Sequence, residues 1–358
     1  MKRNMREKKR MPETWNLKRM GSNDDTGPEV LQFTCDALRI DDEWMTETTG
    51  GFTWWGHGLA QRVWAEACRE DLGVDVTLTH VETDFLRNVG CDLKTMEGLN
   101  LLNAEAPQFA FVYDPNEMRI RLHATFYVHR QNVEWSKRLF MLVAGLQVSY
   151  AHMKAGGASH LFDGSEPDTS PHPGNGFRQK SDEILGVIDQ AIIPESDNAE
   201  PIGVGEFRQA ADCLSQQMLA TCGGGGMTAE FPFSGDEPAI LRFGKGMGVV
   251  TALFRAFSRK RHSLLGKGLL TTLQLPVSLD REEGLRISAG LNLLESVEWA
   301  RCHMNGAWRI DSQDCLSFVS FLPIMSHEKG LLLNLAISNY IRSGWAAGIL
   351  NAGSDNNR

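Results

Sequence analysis

The sequence predicts an α+β protein of two tandem modules, each an antiparallel sheet with helices packed on it, and three observations carry that prediction. Gly98-Leu99-Asn100-Leu101-Leu102 recurs as Gly290-Leu291-Asn292-Leu293-Leu294. The same order of elements follows each copy, which carries more weight than a five-residue match alone. The chain is also long enough, at 358 residues and 42% hydrophobic content, to bury two cores.

The first module, residues 26–160, is predicted to open with a helix near Glu29 to Leu38, whose Val30, Leu31, Phe33 and Leu38 fit one buried face. Phe52 to Trp55 and Leu59 to Ala67 are rich in strand-forming residues, and Asp71-Leu72-Gly73 reads as a turn into an alternating strand, Val74 to Val81. A helix around Leu93 to Asn103 follows. A strand from Phe109 to Asp114, a turn at Pro115-Asn116, a strand from Arg119 to His129 and a helix from Asn132 to Lys154 complete the unit. The order is helix, three strands, helix, two strands, helix.

The second module, residues 201–350, repeats it. Phe207 to Leu219 makes the opening helix, ended by Gly223 to Gly226. Phe231 to Gly235 takes the place of Thr53 to Gly56, and Ala239 to Phe243 that of Ala60 to Trp64. An extra stretch, Gly244 to Ser263, then precedes a strand from Leu269 to Pro276 and a helix from Arg281 to Leu294. Trp299 to Met304, a turn at Asn305-Gly306, a strand from Leu316 to Leu322 and a helix from His327 to Ala347 close the module. Leu122, Ala124 and Val128 then fall on Leu316, Phe318 and Leu322, and Leu139, Val143 and Leu146 on Leu333, Ile337 and Tyr340.

Residues 161–200 read as a linker. Asp163 to Asp182 is dense in Pro, Gly, Ser and Asp, whereas Glu183 to Ile193 is apolar enough to dock. A disordered basic leader over 1–25 and a tail over 351–358 flank the modules. The first twenty residues carry eight Lys/Arg against two Glu, so of the total net charge of −9 residues 21–358 hold −15. An acidic body disfavours nucleic acid, whose binding comes mainly from neutralised phosphates. No apolar run follows the basic leader as in a signal peptide, and none reaches the length of a membrane span. Seven scattered cysteines with no Cys-x-x-Cys pair fit reduced thiols, hence a cytoplasmic protein.

Period-two alternation in Arg119 to His129 puts Ile120, Leu122, Ala124, Phe126 and Val128 on one face and Arg119, Arg121, His123, Thr125, Tyr127 and His129 on the other. The second set reads as a solvated sheet face, or as a donor-rich surface for an acidic or extended partner peptide. His160, Asp163, Glu166, Asp168 and His172 match no compact metal site, and no metal or other cofactor is expected. Gly244-Lys-Gly and Gly266-Lys-Gly lack the rest of a phosphate-binding loop. No Gly-x-Ser-x-Gly signature is present, and His327-Glu328 lacks the second histidine of a zinc-protease helix. Phe52, Trp54, Trp55 and Trp64 read as core or inter-module packing.

The order helix, three strands, helix, two strands, helix, repeated in an acidic chain, resembles the type III secretion chaperone-like fold, including the YbjN-type proteins that share it. The resemblance spans residues 26–160 and 201–350. It implies a non-enzymatic adaptor that holds a partner polypeptide, either as a monomer with a pseudo-dimer built into one chain or as a homodimer. The alternative is an enzyme or small-molecule sensor with a pocket between the modules, roofed by residues 160–182.

Overall fold

The structure is a computed structural model that describes residues 25–71, 73–105, 108–167, 172–176, 228–230, 239–245, 249–262, 266–297, 302–323 and 331–355. These form an α+β fold with two antiparallel sheets. Helix α1 (Gly27–Leu38) carries Pro28 in its first turn, where a missing N–H costs nothing. Arg39 ends it in the left-handed conformation, φ 49°. Strands β1 (Met45–Thr48), β2 (Gly51–Gly56), β3 (Leu59–Ala65), β4 (Arg69–Asp71) and β5 (Val74–Leu86) follow. Next come α2 (Leu93–Glu105), the hairpin β6 (Ala110–Asp114) and β7 (Arg119–His129), and α3 (Val133–Phe162).

The second half contains β8 (Thr228–Glu230), β9 (Ala239–Lys245), β10 (Val249–His262), β11 (Gly266–Ser278), α4 (Arg281–Val297), the hairpin β12 (Ala307–Ile310) and β13 (Cys315–Pro323), and α5 (Leu331–Asp355). Spatial order in the first sheet is β1-β2-β3-β5-β7-β6, with β4 paired to β5 off that path; in the second it is β8-β9-β10-β11-β13-β12. The two orders match strand for strand, and all pairings are antiparallel.

The inner face of the first sheet packs on α1 and α3 through Val63, Val81, Leu122, Ala124 and Phe126 against Leu139, Phe140 and Val143, all buried. A buried polar chain pins this contact. Trp54 Nε1 donates to Gln61 Oε1 at 2.8 Å, Gln61 Nε2 donates to Thr83 Oγ1 (2.8 Å) and to the Ala144 carbonyl (2.9 Å), and Thr83 Oγ1 donates to Gln147 Oε1 (3.0 Å). Trp54 is thus a core residue with its N–H satisfied, as burial requires.

Five expectations for the second half are corrected. Ala239 to Phe243 lies in β9, which holds the place of β2 rather than of β3. Gly244 to Ser263 is therefore no insertion: its β10 is the third strand, with Ala252, Phe254 and Ala256 buried at alternate positions. The Arg259-Lys260-Arg261 run disguises this alternation at the far end of the strand.

The strand of the last hairpin is Ala307–Ile310 rather than Trp299 to Met304, and its turn is at Asp311 to Asp314 rather than Asn305-Gly306. Asp311 Oδ1 accepts from the Gln313 and Cys315 amides (2.8 and 3.0 Å), as Asp114 Oδ1 accepts from Asn116 at 2.9 Å. Ala110-Phe-Val-Tyr-Asp114 therefore matches Ala307-Trp-Arg-Ile-Asp311. Phe111 faces Leu122 and Trp308 faces Phe318, so Leu122 corresponds to Phe318, two residues from the predicted partner. The shift is even, which keeps the same face inward. The predicted elements at 207–219, 223–226, 231–235 and 183–193 lie outside the described residues.

Candidate functional site

The outer face of the first sheet gathers the polar side chains of β3, β5 and β7. Register sets Trp64, His80 and Thr125 in one row and Arg62, Glu82 and His123 in the next. Thr125 Oγ1 lies 3.1 Å from His80 Nδ1 and 2.9 Å from His123 Nε2, so one hydroxyl joins two imidazoles. His80 Nε2 reaches Glu66 Oε1 at 3.2 Å, and the Trp64 indole stacks on His80 with centroids 4.7 Å apart. Arg121 Nη1 donates to Glu82 Oε2 (3.0 Å), and its Nη2 lies 3.5 Å from Asp114 Oδ2. Arg62 and His123 Nδ1 each approach Glu82 to 3.7 Å.

Burial pushes the Glu82 carboxyl up, but His123, Arg121 and Arg119 outweigh it and bring it down to about 2. The hydrogen bond from His80 holds the half-exposed Glu66 below its ordinary range, while burial lowers His80 itself. The acids and bases of this face are spent on one another. This pairing fixes strand positions, and His123 Nδ1 and Arg121 Nε are left with no hydrogen-bond partner among the described residues.

The predicted site residues divide along β7. Arg121, His123 and Thr125 are buried at 7%, 2% and 1% exposure, so the centre of this stripe is not the open, solvated face expected from alternation. The second half of the chain covers it from the β6 side: Leu293, Met304 and Ala307 pack on Ala110 and Val112. Arg119 is half-buried and pairs with Asp84 (3.2 Å) and Glu117. Thr125, Tyr127 and His129 meet a partner within the chain itself. The Thr125 and Met304 backbones form an antiparallel bridge, with N–H···O distances of 3.2 and 2.8 Å. Two residues on, the Tyr127 amide donates to His303 Nδ1 at 3.2 Å, and the His129 side chain bonds that of Asn334 on α5. Residues 302–304 thus extend the first sheet alongside β7, where β6 has ended. The sequence marked Trp299 to Met304 as extended but gave no sign that its end pairs with β7 instead of with Cys315–Pro323.

A second cross-connection runs through α2. Asn100 Oδ1 accepts from the Ile310 amide (2.7 Å), and its Nδ2 donates to the Ile310 carbonyl (3.0 Å). Beneath the seam, Arg342 forms a fully buried pair with Glu295 at 2.7 Å, donates to the His303 carbonyl and stacks on Phe318 at 3.7 Å.

His172 to Gly176 forms a turn that docks on the first half. His172 Nε2 lies 3.2 Å from Thr46 Oγ1, and its ring meets Trp55 edge-on at 4.8 Å. Asp163 pairs with Lys94 at 2.7 Å; Asp168 lies outside the described residues. Among the described residues no group of three His, Cys, Asp or Glu is placed to hold a metal, and no helix is long and apolar enough to cross a membrane.

A groove of about 860 Å³ lies between α4, the end of β11 and the end of α5. Leu279, Ile287, Leu291, Leu294, Ile349 and Leu350 give it apolar walls, and Asp280, Glu282 and Glu283 an acidic end at the start of α4. Arg286 is partly neutralised there by Glu282 at 2.9 Å. No protein-family model, curated protein or solved structure matches the chain.

Proposed function

We propose that this chain is a non-enzymatic, cytoplasmic adaptor in which two chaperone-like modules form an intramolecular pseudo-dimer that holds a partner polypeptide. The reading rests on the groove of the second half. Its volume lies in the range of ligand and peptide pockets, and its apolar walls end in an acidic rim suited to an apolar segment flanked by basic residues. The matched strand orders and the backbone seam between the halves support the pseudo-dimer. The polar stripe on β7 contributes by joining the modules instead of receiving the partner.

The test is capture from native lysate with bait lacking residues 1–20, alongside the Ile287→Asp variant checked for an unchanged melt. A near-stoichiometric heterologous protein held by the parent and lost by the variant supports the adaptor. Bait recovered alone, with a small molecule released on denaturation, moves the reading to a sensor.

A further inference from the structure

The seam between the two halves depends on a histidine that has no room for a second proton. His303 is 1% exposed, and its Nδ1 accepts the Tyr127 amide proton, so the ring carries its own proton on Nε2. Nε2 has no hydrogen-bond partner among the described residues. Protonating Nδ1 would set N–H against N–H at 3.2 Å, which breaks the bond and leaves an imidazolium in an apolar shell.

The charged groups that act on the ring, His129 and Arg342, oppose that charge. From β7 come the Phe126 ring at 5.7 Å and the titratable His129; from α3 comes the Trp135 ring at 5.2 Å. From α5 comes the Arg342 cation, which donates to the His303 carbonyl. The carboxylate of Glu295 on α4 is already engaged by Arg342, Trp308 Nε1 at 2.8 Å and Cys302 Sγ at 3.8 Å.

We propose that the His303–Tyr127 contact is an acid-sensitive latch, closed at neutral pH and released in mildly acidic conditions, so that residues 302–304 leave the edge of β7 before either half unfolds. Burial, with the repulsion of His129 and Arg342, brings the ring down to about 3. His129 is itself lowered by burial, so acid also charges the neighbour that repels it. A group protonated more readily when released favours release as pH falls below its ordinary value of about 6.5. The closing equilibrium weakens about thirtyfold between pH 7.5 and pH 5.

The experiment is hydrogen exchange of the full chain, read as protection factors corrected for intrinsic rate, at the Thr125, Tyr127 and Met304 amides from pH 7.5 to 5. In parallel, the His303→Asn variant keeps an acceptor near the place of Nδ1 and cannot titrate. Protection at the three amides is expected to fall about thirtyfold in the parent, while Leu122 and Val143 stay protected, and to stay level in H303N. Unchanged protection in the parent overturns the latch, as does an equal fall in H303N. If H303N does not fold, the parent profile decides alone: loss confined to the seam supports the latch, and loss shared with the cores refutes it.

Discussion

Asn100 and Asn292 grip the same strand from opposite halves of the molecule. Asn292 Oδ1 accepts from the Trp308 amide (2.8 Å) and its Nδ2 donates to the Trp308 carbonyl (2.9 Å), while Asn100 does the same to Ile310, two residues along β12. Both are the third residue of the repeated Gly-Leu-Asn-Leu-Leu motif. A side-chain amide copies the donor and acceptor of a strand neighbour, so these two complete the edge of a strand that, among the described residues, pairs with β13 alone.

Asn292→Ala and Asn100→Ala each leave one buried amide and one buried carbonyl of β12 unpaired, at about 1–3 kcal/mol per group. Both are expected to lower the urea midpoint. The effects should separate by location: Asn292→Ala acts within the second half, and Asn100→Ala frees one half from the other. Domain-resolved hydrogen exchange distinguishes them, and equal loss across both halves in Asn100→Ala counts against a seam role.

Glu295 and Arg342 are each 1% exposed and lie 2.7 Å apart. Glu295→Gln strands the guanidinium in the core and is expected to cost about 3–5 kcal/mol, whereas Glu295→Gln with Arg342→Met removes the stranded charge and recovers much of it. A double-mutant cycle by chemical denaturation measures the coupling. Additive losses would show that the pair does not act as a unit.

Gly306 was legible only as a turn residue. Its position is instead one of close approach: a Cβ there would lie 2.2 Å from the Val319 carbonyl oxygen, across the start of β12. Backbone atoms cannot yield as a flexible side chain can. Gly306→Ala is expected to destabilise by more than about 1 kcal/mol, and an unchanged melting temperature would contradict the packing.

Five strands rather than three lie between α1 and α2, since the short β1 and β4 carry no clear alternation. The repeated motif is three residues out of register, Asn103 holding Phe111 (2.7 and 3.3 Å) as Asn292 holds Trp308. The alternation of β7 and the helices of the first half were readable because period and turn chemistry are local. The length of β10 and the placement of β12 were not. A strand ending in Ser-Arg-Lys-Arg carries little alternation at that end, and Trp299 to Met304 is as apolar as a strand, although Met304 serves β7 by a single bridge. Burial of Arg121 and His123 was unreadable for a related reason. Alternation reports which side chains share a face, and Leu293 and Met304, which help cover it, come from some 170 residues along the chain.

That burial reverses what substitution on this face should do. On an open face Arg121→Ala would weaken a partner and spare the fold. Here Arg121 holds Glu82, so Arg121→Met is expected to lower stability, by about 3–5 kcal/mol if the carboxylate stays charged. The pH dependence gives the sharper test. Glu82 sits at about 2, against an ordinary value of 4.5, so its contribution, roughly 3 kcal/mol, is complete above pH 4.5 and lost as pH falls through 2. Without the Arg121 charge, burial draws the carboxyl upward and that loss begins at higher pH. The acid-unfolding midpoint of Arg121→Met should therefore rise by about one pH unit, beyond any uniform loss of stability. A variant that loses stability equally at pH 7 and pH 3.5 would show that Arg121 serves by packing and not by holding Glu82 ionised.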